Sequence, residues 1–64
     1  MVKYNLKGLR AKRGITQEQM AEVLEITSST YNRKENGLRE FTIEEAKKIS
    51  EFFGESIEEI FFTN

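Results

Sequence analysis

Apolar residues recur at spacings of three and four along nearly the whole chain, the period of an amphipathic helix. Leu6 and Leu9 open the series, then Met20, Ala21 and Leu24, then Ile26 and Tyr31. Ala46, Ile49, Phe52 and Phe53 carry the next stripe, and Ile57, Ile60, Phe61 and Phe62 the last. No Pro interrupts the pattern, and β-branched residues are scattered rather than alternating. Cap signals divide this pattern into five helices. Asn5 is placed to cap the first, with Tyr4 stapling against Leu9. Gly8 inside that helix weakens it by about 1 kcal/mol relative to Ala. Gly14, after Lys12-Arg13, is the expected left-handed residue at its end. Thr16-Gln17-Glu18-Gln19 reads as a capping box for the second helix, with Ile15 and Met20 as its staple. After the short break Glu25-Ile26-Thr27, Thr27 caps a third helix, stapled by Ile26 and Tyr31 and closed by Asn36-Gly37. Thr42-Ile43-Glu44-Glu45 is a second capping box, with Phe41 and Ala46 as staple, for a helix ending at Gly54. Ser56 opens a final short helix. The expected architecture is all-α, one domain over residues 1–64.

Composition narrows the chemistry. The chain has no Cys, no His and no Asp. That removes thiolate zinc sites, the commonest metal ligand and the usual general base, so no enzyme, metal or cofactor is expected. No apolar run approaches the ~20 residues that cross a bilayer, and the first residues lack the apolar stretch of a signal peptide. A soluble, cytoplasmic protein is expected. Net charge is −1, which taken alone disfavours a nucleic-acid binder. Its distribution changes the picture. Up to position 34, seven bases (Lys3, Lys7, Arg10, Lys12, Arg13, Arg33, Lys34) outweigh Glu18, Glu22 and Glu25, for +4. From 35 onward, Arg39, Lys47 and Lys48 face eight Glu residues, for −5. A basic half suits an anionic partner, although two solvated surfaces would give the same count.

The second and third helices carry the functional signal. Two short helices joined by a tight turn, with small Ala21 inside the first, have the form of a helix-turn-helix. On the third helix, Tyr31 and, more loosely, Lys34 turn inward. Ser28, Ser29, Asn32 and Arg33 fall together on the other face. Asn reads adenine and Arg reads guanine in a major groove. The same four residues would also suit an ordinary hydrophilic surface.

The stretch Leu9-Arg10, Gly14-Ile15-Thr16-Gln17-Glu18-Gln19-Met20-Ala21, Leu24, Ile26-Thr27, Thr30-Tyr31 and Lys34-Glu35-Asn36-Gly37 closely resembles the Cro/C1-type helix-turn-helix (XRE) family. The resemblance runs from Asn5 to about Phe62. Phe41-Thr42, Glu45-Ala46-Lys47-Lys48-Ile49 and Ile60-Phe61-Phe62 look like a branch found among small phage and prophage repressors of Gram-positive bacteria. The resemblance implies a lambda-repressor-like five-helix fold and a transcriptional regulator that binds a double-stranded DNA operator as a homodimer, with no small-molecule ligand. It implies base reading by Ser28, Ser29, Asn32 and Arg33, from a recognition helix at about 28–35. Phosphate contacts fall to Gln17, Thr27, Asn36 and Arg39. It also implies a structural ion pair between Arg10 and Glu35. Two positions depart from the family. Glu25 stands where Gly is usual, at a turn position that favours φ > 0. Lys34 stands where a large apolar residue is usual, so its stem is expected to cover the core while its amine reaches out towards phosphate.

Ile57, Ile60, Phe61 and Phe62 are too many apolar residues for one face of a two-turn helix. Ile57, Phe61 and Phe62 are therefore candidates for a dimer patch, or alternatively for closure of the core. A second reading of function stays open: a protein-interaction module, such as an antitoxin or a phage regulatory partner, that keeps the fold without strong DNA binding.

Overall fold

A computed structural model describes residues 5–62. The chain forms α1 (Leu6–Lys12), α2 (Gln17–Leu24), α3 (Ser28–Glu35), α4 (Ile43–Phe53) and α5 (Ile57–Phe61), with no strand among the described residues. Four of the five starts are set by the side chains expected. Thr16, Thr27, Thr42 and Ser56 each accept a hydrogen bond from the backbone N–H three residues on. At Thr16 and Thr42 the box is reciprocal, with Gln19 and Glu45 reaching back to the cap N–H. This satisfies donors that a helix start otherwise leaves orphaned.

The first helix starts differently. Asn5 sits at the cap position, but its side chain makes no capping bond. Its backbone is not extended (φ −79°, ψ 3°), so the side chain cannot reach back as a cap does. Its N–H instead donates to the Ile60 carbonyl at 3.0 Å, tying α1 to α5. The expected Tyr4 staple lies outside the described residues.

Every helix contributes to one core. Leu6, Met20, Ala21, Leu24, Tyr31, Ile49, Phe53 and Ile60 are buried, and Leu9, Ile15, Val23, Ile26, Phe41 and Phe61 pack against them. Phe52 departs from the expected stripe. It is 45% exposed, with its ring edge-on to Phe53 at 5.1 Å. Phe52 and Phe53 are adjacent and point about 100° apart, so the core takes one of them. Arg13 covers the Phe53 ring at 5.5 Å and approaches Glu55 at 3.6 Å.

The α2–α3 turn fixes how α3 sits. Glu25 has φ 59° and ψ 42°, the only non-glycine left-handed residue among those described. The turn lets the Ile26 N–H return to the Ala21 carbonyl at 3.0 Å, which closes α2 in the manner of a Gly-ended helix. The family's usual Gly is thus replaced by a residue that pays steric strain in the same backbone conformation. Gly37 (φ 79°) performs the corresponding turn after α3.

Candidate nucleic-acid interface

The outer face of α3 is built by helical phase. Tyr31, Lys34 and Glu35 are buried, and this commits one side of the helix to the protein. Ser28, Ser29, Asn32 and Arg33 share the opposite side, and all four are exposed. Two short hydroxyls near the helix start leave room for close approach, with an amide and a guanidinium one turn on. Among the described residues neither Arg33 nor Arg39 forms an ion pair, and both are exposed. Their charges are available to an anionic partner.

Beneath this face lies a buried carboxylate with a full set of partners. The Glu35 side chain has no solvent exposure. Arg10 clasps it in a fork, Nε to Oε2 at 2.9 Å and Nη2 to Oε1 at 3.2 Å. The Tyr31 hydroxyl donates to Oε2 at 2.8 Å and the Gln17 amide to Oε1 at 3.0 Å. Arg10 also donates to the Ile15 carbonyl at 2.8 Å. One cluster thus joins α1, the start of α2 and the end of α3. Burial alone would raise the Glu35 pKa. The hydrogen bonds from Arg10, Gln17 and Tyr31 outweigh it and hold the carboxyl below its ordinary value. The same cluster raises the Arg10 pKa, chiefly through the Glu35 hydrogen bond, and that of Tyr31, chiefly through burial.

The candidate phosphate positions stand in different states. Gln17, the first residue of α2, is half-buried and engaged on both sides. Its Nε2 donates to Glu35, and its Oε1 accepts from Asn32 Nδ2 at 3.3 Å. One amide hydrogen of Gln17 remains for another acceptor. Thr27 caps α3 and gives its hydroxyl hydrogen to Thr30 Oγ1 at 2.9 Å. Asn36 ends α3, with its amide donating to the Asn32 carbonyl at 2.8 Å. Arg39 stands exposed in the α3–α4 loop.

Lys34 corrects an expectation. Its amine does not reach outward to a phosphate. Its side chain is 8% exposed, and Nζ donates to Glu45 Oε1 at the start of α4. The Phe41 ring lies 6.0 Å away. Glu45 also serves the Thr42 capping box, so one carboxylate oxygen holds both the α3 lysine and the α4 start. Burial opposes ionisation of Glu45, but the bonds from Lys34 and the Thr42 N–H keep its pKa low. A capping-box acid already aimed back along the chain supplies the counter-ion that sequence reasoning did not assign.

The candidate dimer patch divides. Ile57 and Phe61 are half-buried, whereas Phe62 is 72% exposed. Phe61 stacks edge-on with Phe41 at 5.4 Å, and Phe41 in turn with Tyr31 at 6.1 Å. Phe61 thus closes the core on its inner side. Its remaining surface joins Phe41, Ile43, Ala46, Ile57 and Phe62 around a shallow, mainly apolar groove. Ile43 is 75% exposed at its rim.

Among known proteins, the family profile described as helix-turn-helix matches residues 6–60. The chain is 38% identical over 60 residues to an uncharacterized HTH-type transcriptional regulator of Methanocaldococcus jannaschii, covering 94% of this chain and 91% of that protein. It superposes on the crystal structure of a transcriptional regulator from Listeria innocua with a TM-score of 0.87 and 24% identity. The match covers 98% of this chain but 63% of the Listeria chain, and at that identity it speaks for the fold alone.

Proposed function

The chain belongs to the helix-turn-helix family whose profile spans residues 6–60, and on that premise we propose that it is a sequence-specific DNA-binding transcription regulator that represses as a dimer. The observation that carries the reading is the outer face of α3, where Ser28, Ser29, Asn32 and Arg33 are exposed together while Tyr31, Lys34 and Glu35 are buried. In this reading α3 enters the major groove. Asn32 and Arg33 supply base contacts, Ser28 and Ser29 permissive ones, and Gln17, Thr27, Asn36 and Arg39 serve phosphates.

Size favours a dimer. The molecule measures 26 × 24 × 21 Å. Successive major grooves on one side of a duplex are ~34 Å apart, so one copy does not span two of them. The apolar groove bounded by Ile57, Phe61 and Phe62 supports a two-fold contact through α5 and the start of α4. Repression follows from the Cro/C1 resemblance, with the phage-like branch as the nearest type.

Selection from a randomised duplex library tests the proposal. The expected result is enrichment of a two-fold symmetric site with half-sites about one helical turn apart. Failure to enrich any sequence, with only weak binding at low salt, would move the assignment to a protein-interaction module.

A further inference from the structure

A single exposed leucine is ordinary on a protein surface. What sets Leu38 apart is where the end of α3 puts it. The Gly37 N–H donates to the Lys34 carbonyl at 3.1 Å and the Leu38 N–H to the Arg33 carbonyl at 2.8 Å, with Gly37 left-handed at φ 79°. In this helix ending, the residue after the left-handed one folds back towards the third or fourth residue from the helix end, commonly in an apolar contact. Here those two positions hold Arg33 and Asn32, and both are exposed. The turn thus returns the chain towards the outer face of α3 and not to the core, and Leu38 is left 75% exposed.

Its surroundings are cationic. Arg33 and Arg39 stand on either side of it, neither in an ion pair among the described residues. The acid that follows, Glu40, lines the α5 groove with Phe41, Ile43 and Phe62, a groove that Leu38 does not line. A leucine between two available cations, at the edge of a polar face, suits a polyanion that carries an apolar group between its phosphates. In the major groove only thymine presents such a group, its C5 methyl. We propose that Leu38 is a specificity-determining residue. Beside Asn32 and Arg33 it offers an apolar surface to the major groove and selects thymine through that methyl. The proposal rests on α3 being a DNA-reading helix, and it extends base reading from the helix to the loop that follows.

Removing the methyl from the DNA isolates this contact. The duplex enriched by the wild-type protein is remade with each thymine in turn replaced by deoxyuridine, and wild type and Leu38→Ala are titrated on the series. Leu38 lies outside the core, so the variant should melt near wild type. The expected result is one thymine, within a base pair or two of the position that Arg33→Ala relaxes, where deoxyuridine weakens wild-type binding about fourfold. At that position Leu38→Ala should bind both duplexes equally. Losses that match between the two proteins at every thymine, or no loss at any, overturn the proposal and leave DNA binding intact. So does a Leu38→Ala variant whose dimer is weaker than wild type in sedimentation without DNA, which would put Leu38 in a protein interface. Enrichment of no sequence by the wild type overturns the DNA-binding reading and the proposal with it.

Discussion

Glu35 bonds three side chains from separate parts of the chain, so its substitution strands several groups at once. Glu35→Ala leaves Arg10 without its carboxylate and the Tyr31 hydroxyl without its acceptor in a buried place. Breaking one side of a buried pair costs about 3–5 kcal/mol, a large share of what a domain this small can hold. A denaturant melt of the variant measures it, and an unchanged midpoint would remove the cluster from the account. The same group sets a pH dependence. Glu35 and Glu45 are both held below their ordinary pKa in the folded protein. Their contribution is fully present above the unfolded-chain value of ~4.3 and is lost as pH falls through the lower folded value. A stability profile between neutral pH and acid should decline over that window. The ion pair of Arg10 with Glu35 was readable only through the family resemblance, since the two lie 25 positions apart. The Tyr31 bond to Glu35 was open to sequence reasoning, because the two are four apart on one helix. Gln17 was read as a phosphate contact alone. Its role toward Glu35 depends on how α2 crosses α3, which no local pattern encodes.

Element by element, the ends of the helices were the most legible part of the chain. Thr16, Thr27, Thr42, Ser56, Gly14, Gly37 and Gly54 mark boundaries through short-range hydrogen bonds and backbone freedom, both of which act within a few residues. Asn5 was misread because the same residue type can occupy the cap position without capping when its ψ is near zero. Two substitutions at this scale should stabilise the protein. Gly8 is helical and exposed, and among the described residues a Cβ there would meet only Asn5 Oδ1 at an ordinary 3.8 Å. Gly8→Ala should therefore gain about 1 kcal/mol in a thermal or denaturant melt. Glu25→Gly relieves a left-handed backbone that costs a residue with a Cβ about 1–2 kcal/mol, offset in part by the greater freedom of Gly when unfolded. Among the described residues the only ionic contact of Glu25 is an exposed 3.6 Å approach of Lys48, worth little. A net gain of about 0.5–1 kcal/mol is expected, and a loss would show that the turn is not strained.

For the whole molecule, what matters is how α3 is tied to the rest. The aromatic series Tyr31–Phe41–Phe61 runs from α3, through the α3–α4 loop, to α5. Lys34 and Glu45 make a second tie between α3 and α4. A partner copy docked at the α5 groove would therefore meet elements packed directly on α3. Phe62→Glu places a charge in the exposed part of that groove without touching the buried core. Sedimentation should show the dimer weakened, and operator binding should lose its two-site character while the fold's melting point stays near wild type. A variant that dimerises as well as wild type would place the interface elsewhere. The amphipathic periods made the all-α architecture plain, but the division of apolar residues between core and groove was not. Phe61 and Phe62 are adjacent and equally apolar, and packing against Phe41 and the core distinguishes Phe61.

The most direct test of the central claim is the affinity of wild type and Arg33→Ala for the selected duplex, followed across a salt series. DNA reading by α3 predicts steep loss of affinity with rising salt for both proteins. It also predicts a penalty of about 1–3 kcal/mol for Arg33→Ala, confined to one base-pair position. Equal affinity of the two proteins on every sequence would contradict the assignment of α3 as the reading helix, however well either one binds.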